Sequence, residues 1–208
     1  MPQVLADNEE VVFEEGVPSE PSTIYELLLG AFAERRRAMS VFIVDGTDYI
    51  NAEEFPQKFD TISAQSITHA ELTLRLSIQL LNSLSNFQNQ ISAYQVNLLV
   101  TPWSEVFKRT DEFISKIQPF ADLVDNIVPF AQSYAPEWAE DIYKTAKSQA
   151  DSLNCILQCF ENADPAGLSD EIAEKFLPLF VKTASLFEKS IIPDLKKRQA
   201  EDEKSYLD

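Results

Sequence analysis

Between Thr68 and Thr101 six apolar residues fall on one helical line. Leu80, Leu84, Phe87, Ile91, Tyr94 and Leu98 step by 4, 3, 4, 3 and 4 residues, a heptad-like seam. Thr68-His69-Ala70-Glu71 precedes it as a capping box, with Glu71 reaching back to the Thr68 amide. The spacing predicts one helix from Thr68 to about Val100. Thr101-Pro102 suits the N-cap and first position of a second helix. Its stripe is Trp103, Val106, Phe107, Phe113, Ile114, Ile117, Phe120, Val124, Ile127 and Val128, and Pro119 and Pro129 are expected to kink or break it. A third stripe contains Trp138, Ile142, Ala146, Leu153, Ile156 and Phe160. After a loop at 161–169, Ser169 is expected to cap a fourth helix that buries Ile172, Phe176, Phe180, Ala184, Phe187 and Ile191, bent at Pro178. The charged tail from Lys196 is expected to fray.

The first third has a different texture. Residues 10–15 are a short β-favouring run. Ile24, Leu27, Leu28, Ala31 and Phe32 have helical spacing, with Ser22 or Thr23 as cap and Arg35, Arg36 and Arg37 suited to the negative end. Residues 39–44 and 47–50 read as strands around Asp45-Gly46. A turn of helix is placed over 52–58, and the alternation of 60–67 gives a last strand. The fold class is therefore mainly α with a small α+β N-terminal unit: a β-hairpin-containing head over 1–67, then an antiparallel four-helix bundle over 68–208.

Asp45-Gly46 admits a second reading. With Ile50 at the eighth place of a calcium-binding helix-loop-helix, Asp45, Thr47, Asn51 and Glu54 fall on oxygen-donor places. Ile43 then stands at the first place, where an oxygen ligand is needed, and Asp48 at the sixth, where the sharp turn needs glycine. A type I′ hairpin requires only Asp-Gly between β formers. The hairpin is the reading adopted.

Composition narrows the chemistry. The chain of 208 residues carries 34 acidic and 17 basic residues, a net charge of −17, which repels nucleic acid and anionic membrane surfaces. No apolar window is long enough to span a membrane, and no secretory signal is expected, the first basic residue being Arg35. Cys155 and Cys159, four apart on one helix, are poorly placed for a disulfide and read as reduced thiols of a cytoplasmic protein. His69 is the single histidine and belongs to a helix start. A zinc site would need it together with distant cysteines. Glu-x-x-His pairs and phosphate-cradling glycine loops are absent. No catalytic residue, metal site or cofactor is expected.

One feature remains. Residues 76–100 contain no charged residue, in a chain with 25% charged residues. The stretch is instead rich in amides and serines. Such a helix is either enclosed, with its amides bonded internally, or it faces a protein partner, because interface cores lose charge. The candidate partner-binding residues are Gln79, Asn82, Asn86, Gln88, Asn89, Gln90 and Asn97. The expected function is a non-enzymatic protein–protein interaction module (an adaptor, chaperone or assembly factor) whose partner is another protein or a second copy. The alternatives are an enzyme using carboxylates in a cleft between head and bundle, and a structural subunit of a homo-oligomer.

Calorimetric titration with calcium is expected to show no saturable heat. A one-site isotherm in the micromolar range, abolished by Glu54→Ala, would restore the calcium loop over the hairpin.

Overall fold

The fold is described from a computed structural model of the chain, covering residues 2–14 and 16–207, with side chains through Asp202. It is mostly helical with an N-terminal sheet, and it separates into two compact units, Met1–Leu72 and Thr73–Asp208.

The first unit holds β1 (Gln3–Ala6), β2 (Glu9–Glu10), α1 (Pro21–Glu34), β3 (Arg37–Val44), β4 (Thr47–Asp48) and β5 (Thr61–Thr68). They form a sheet in the order β2-β1-β5-β3-β4. β1 runs parallel to β5, and the other pairings are antiparallel. Both tight hairpins have two residues at positive φ, as a type I′ turn requires. Asp45 and Gly46 stand at 48° and 86°, and Asp7 and Asn8 at 50° and 69°. Asp and Asn enter this region more readily than other side chains. Ile24, Leu28 and Phe32, one stripe of α1, are buried with Val4, Phe42, Ile62 and Ala64 of the sheet.

Several expectations for this unit are corrected. The first strand lies at 3–6, where it pairs along β5, and not at 10–15; only Glu10 of that run is in a strand, and Glu15 lies outside the described residues. Pro21 opens α1, since its fixed φ suits a first helical position, so neither Ser22 nor Thr23 is the cap. Residues 52–58 form no helix, and Leu27 is exposed. The arginines do not all serve the end of α1. Arg36 takes φ +57° to leave the helix, and the Arg37 guanidinium donates to the Ser66 carbonyl at 3.0 Å. Asp7 accepts from the Ser66 amide and hydroxyl, both at 2.7 Å, so buried Ser66 ties the β1–β2 turn to β5.

Thr68 closes β5 and starts the next helix. Its hydroxyl accepts from the Glu71 amide at 3.1 Å, the Thr68 half of the capping box. The helix α2 spans His69–Ser83, and the unit boundary falls within it.

The second unit continues through α3 (Phe87–Leu98), α4 (Trp103–Lys108), α5 (Thr110–Tyr134), α6 (Ala139–Glu161), α7 (Pro165–Glu171), a π-helical turn (Ile172–Phe176), α8 (Leu177–Leu186), a second π turn (Phe187–Ile191) and α9 (Ile192–Leu207). The single helix expected over 68–100 is thus broken at 84–86. The cause is local. The Ser83 hydroxyl donates to the Leu80 carbonyl, and the Leu84 amide is shared between Leu80 and Leu81. Ser85 and Asn86 follow, side chains that compete with helical hydrogen bonds. The second helix breaks too, at Arg109, where the Thr110 hydroxyl takes the Phe107 carbonyl at 2.7 Å.

Pro119 and Pro129 do not break α5. The carbonyls they leave without an i+4 partner belong to Ser115 and Asp125, both exposed residues that water can satisfy. Helix α7 begins inside the expected loop, because Asp164-Pro165 is an N-cap followed by proline. Asp164 accepts from the Gly167 amide at 2.9 Å; a Cβ on Gly167 would lie 2.2 Å from the same carboxylate, so glycine permits the cap. Ser169 is buried within α7 and caps nothing. Pro178 and Pro193 each sit two residues after a π turn. The wider turn, closed by Leu177 N–H to the Ile172 carbonyl and Ile192 N–H to the Phe187 carbonyl, relieves the clash that proline makes with its i−4 carbonyl.

The core of this unit gathers Phe87, Phe120, Phe176 and Phe180. Phe87 lies 4.4 Å from Phe180 and 5.7 Å from Phe120, and Phe120 stands edge-on to Phe176 at 5.6 Å and to Phe180 at 5.3 Å between ring centres. The apolar stripes are largely buried as expected, but Leu80, Tyr94, Trp103, Val128, Ala146, Leu153 and Ala184 are only half-buried, and Phe107 and Ile114 are exposed. Phe87→Ala is expected to destabilise the fold by about 2–5 kcal/mol, the range for truncating a buried large side chain. A chemical denaturation midpoint that corresponds to less than about 0.5 kcal/mol would place the core elsewhere.

Candidate functional site

The candidate amides of the uncharged stretch turn outward. Gln79, Asn82, Asn86, Gln88, Asn89, Gln90 and Asn97 are all exposed, on α2, on the 84–86 break and on α3. Enclosure therefore does not account for their lack of charge. Gln95 is the inward exception: its amide donates to the Ser169 hydroxyl at 2.8 Å. Apolar side chains also stand in the open, Val96 at 65%, Leu99 at 61% and Val100 at 79% exposure at the end of the stretch, and Phe107 on α4 at 58%. Asn89, Ala93 and Val96 follow i, i+4, i+7 spacing on α3, one outward stripe, with exposed Leu99 and Val100 in the turn after it.

The helix break divides the candidate residues. Asn82 and Gln88 line a groove of about 470 Å³ whose other walls include Ile78, Phe180 and Ile192. Gln90 and Asn97 line a separate cleft of about 270 Å³ between α3, α4 and α5. Gln79, Asn86 and Asn89 border neither.

The cleft is built by aromatic packing. Tyr94 stacks on Phe113 at 4.7 Å, Phe113 meets Phe160 at 6.1 Å, and Phe160 meets Trp103 at 5.7 Å. That chain fixes α3, α5, α6 and α4 against one another. Leu98 and Val106 supply apolar wall, and Arg109 and Lys116 line the cleft as well. Arg109 lies at the break between α4 and α5. Its Nε donates to Glu112 at 2.9 Å, and Lys116 donates to the other oxygen of the same carboxylate. Two cations thus share one carboxylate.

The Tyr94 hydroxyl is buried and has no hydrogen-bond partner. A buried donor left unpaired costs about 1–3 kcal/mol. Burial pushes the Tyr94 phenol up to about 12, with smaller opposed effects of Arg109 and Glu112, so it remains a donor at neutral pH. Tyr94, Arg109 and Lys116 were not among the residues selected from the sequence. The available signal was a tyrosine inside an otherwise aliphatic and phenylalanine seam, since a buried Tyr hydroxyl normally finds a partner.

Elsewhere the titratable groups have structural tasks. Asp45, one of the donor places of the calcium reading, accepts from the Asp60 amide at 3.0 Å and the Thr61 amide at 2.7 Å. The bond from the Thr61 amide is the largest cause holding its carboxyl below the ordinary range. Glu171 is buried and accepts from the Ser152 hydroxyl at 2.8 Å and from Lys175 at 2.7 Å. Cys155 and Cys159 are free thiols, and burial pushes Cys159 up. Among the described residues no group of three or more His, Cys, Asp or Glu is arranged to hold a metal ion, and no helix is long and apolar enough to cross a membrane. No family model, curated protein or solved structure matches the chain.

Hydrogen bonds from Arg109, then from Lys116, hold the Glu112 carboxyl down at about 2, from an ordinary 4.5. A carboxyl depressed on folding contributes stability above its unfolded value, and that contribution disappears as pH falls through the folded one. Nuclear magnetic resonance titration of the Glu112 side chain at low salt should give a midpoint near 2. It should rise in 1 M salt, because exposed pairs are screened there. A low-salt midpoint at the ordinary value would mean that the Arg109–Glu112–Lys116 cluster does not persist in solution.

Proposed function

We propose that this protein is a non-enzymatic interaction module of the cytoplasm, an adaptor, chaperone or assembly factor, whose partner is another protein or a second copy of itself. The observation that carries the reading is the outward placement of the amides in the charge-free stretch 76–100, in a chain with 25% charged residues. A solvated helix face normally carries charge. Interface cores lose it, because an ion that is desolvated and unpaired is costly, while Asn and Gln satisfy hydrogen bonds across a join. Exposed Val96, Leu99 and Val100 add apolar area to the same stretch.

The partner surface is assigned to Gln79, Asn82, Asn86, Gln88, Asn89, Gln90 and Asn97. The helical unit is taken to act as an antiparallel four-helix body that holds this face rigid. The groove of Asn82 and Gln88, walled by Ile78, Phe180 and Ile192, supports the same reading. The free cysteines are compatible with a reducing compartment. With net charge −17, a basic partner would be steered toward the chain and nucleic acid kept away.

The double substitution Gln88→Glu with Asn89→Lys introduces charge at two exposed positions. It is expected to change stability by less than about 0.5 kcal/mol, as outward surface changes do, and to weaken association. Melting curves, solution mass and capture of binding proteins from the native cell extract, each beside the wild type, measure this together. Unchanged stability, mass and captured proteins would sink the interface reading.

A further inference from the structure

We propose that the cleft between α3, α4 and α5 is a binding site for a short apolar carboxylate, with Tyr94, Arg109 and Lys116 holding its charged end. This goes beyond the interface reading, because it concerns a small ligand site that can be assayed with no partner protein.

Size limits the ligand. About 270 Å³ lies just below the roughly 300–1,000 Å³ of pockets that take drug-sized molecules. One small acid, or the last residue of a peptide, fits that volume. Charge selects its sign. Among the described residues that line the cleft, Arg109 and Lys116 are the charged ones. They share the single carboxylate of Glu112, which leaves one positive charge in excess. One further anion balances the cluster.

The hydroxyl of Tyr94 selects an acceptor. It is buried, lacks a partner, and its high ionisation point keeps the proton on it. The apolar wall selects the remainder. Leu98 and Val106 are buried residues of the cleft, so an aliphatic stem is matched there, whereas a phosphate would place its hydrated oxygens against hydrocarbon. A neutral apolar ligand would leave both the hydroxyl and the excess charge unmatched. The carboxylate could belong to a free organic acid or to the C-terminus of a protein chain. The chemistry that recognises it is the same.

The test is a resonance titration of the full chain, following the Leu98 and Val106 methyls and the Tyr94 ring. Three probes are used: butyrate as a free acid, N-acetylvaline as a minimal chain end, and N-acetylvalinamide, which lacks the carboxylate. Saturable shifts are expected with the two acids, and binding at least about tenfold weaker with the amide, since a hydrogen bond to a charged group is at stake. Tighter binding of N-acetylvaline than of butyrate assigns the site to chain ends; equal or weaker binding assigns it to free acids. Tyr94→Phe should bind either acid several-fold more weakly while melting no lower than the wild type, because it removes an unpaired hydroxyl. Arg109→Gln, at an exposed position, gives a second variant with the same expected loss. No saturable shift with either acid, equal binding of acid and amide, or wild-type affinity in both variants would overturn the assignment.

Discussion

The helical unit depends on the contact of Phe87, Phe120, Phe176 and Phe180. Each of these rings sits beside a backbone irregularity. Phe87 is the first residue of α3 after the break at 84–86, Phe120 follows Pro119, Phe176 ends a π turn, and Phe180 stands two residues after Pro178. Breaks, prolines and π turns are all unfavourable for an isolated helix. Fully burying one such ring is worth about 1.5–3 kcal/mol, and a well-placed aromatic pair adds about 0.5–1.5 kcal/mol. Those gains are of the same size as the local costs. The irregular backbone is therefore what lets rings from α3, α5, the π turn and α8 meet, and the meeting is what keeps the backbone irregular.

Hydrogen bonds inside the unit add specificity to that packing. Gln149 donates to the Phe120 carbonyl at 3.1 Å, Gln95 to Ser169, and Ser152 to Glu171. A ring can slide by a fraction of a turn at little cost, but a buried amide that loses its acceptor cannot. These bonds fix the registers of α6 on α5, of α3 on α7 and of α6 on α7. They also explain why α6 buries Gln149 and Ser152 on a face that amphipathic patterning alone would fill with hydrocarbon; buried Thr145 is satisfied within α6, its hydroxyl donating to the Asp141 carbonyl at 2.8 Å.

The periodic part of this fold was legible in the sequence. Leu84, Phe87, Ile91 and Leu98 of the seam are buried as its spacing demands, as are Ile142, Ile156 and Phe160 of α6 and Ile172, Phe176 and Ile191 near the C-terminus. Asp45-Gly46 makes the tight hairpin. The punctuation was less legible. Periodicity continues across 84–86, so it cannot show that Ser83, Ser85 and Asn86 divert the backbone. Proline read locally as a break is tolerated where the freed carbonyl is exposed, as at Pro119, and where a π turn widens the helix, as before Pro178. The amide stretch could be seen, but its direction could not. By spacing Tyr94 is one more seam residue, and only packing against Phe113 and the break at Arg109 make it part of a cleft.

The two features of α3 follow from one arrangement. A helix with its seam facing Phe120 and Phe113 leaves the opposite side to solvent, and on that side this chain places amides and apolar residues rather than ions. The positive excess at Arg109 and Lys116 lies at the border of that neutral surface, in a chain whose net charge is −17. At physiological ionic strength charges are screened beyond about 8 Å. An approaching anion therefore meets the repulsion of the whole chain only weakly, and within contact range it meets mainly the residues of the cleft. Had acidic residues been distributed over α3 as they are over α6 and α9, they would lie within that screening distance and cancel the local excess. The absence of charge on α3 thus does two things at once: it lowers the cost of desolvating the face, and it adds no acid on that side to Glu105, Asp111 and Glu112, which already stand near Arg109 and Lys116 in the first turns of α4 and α5.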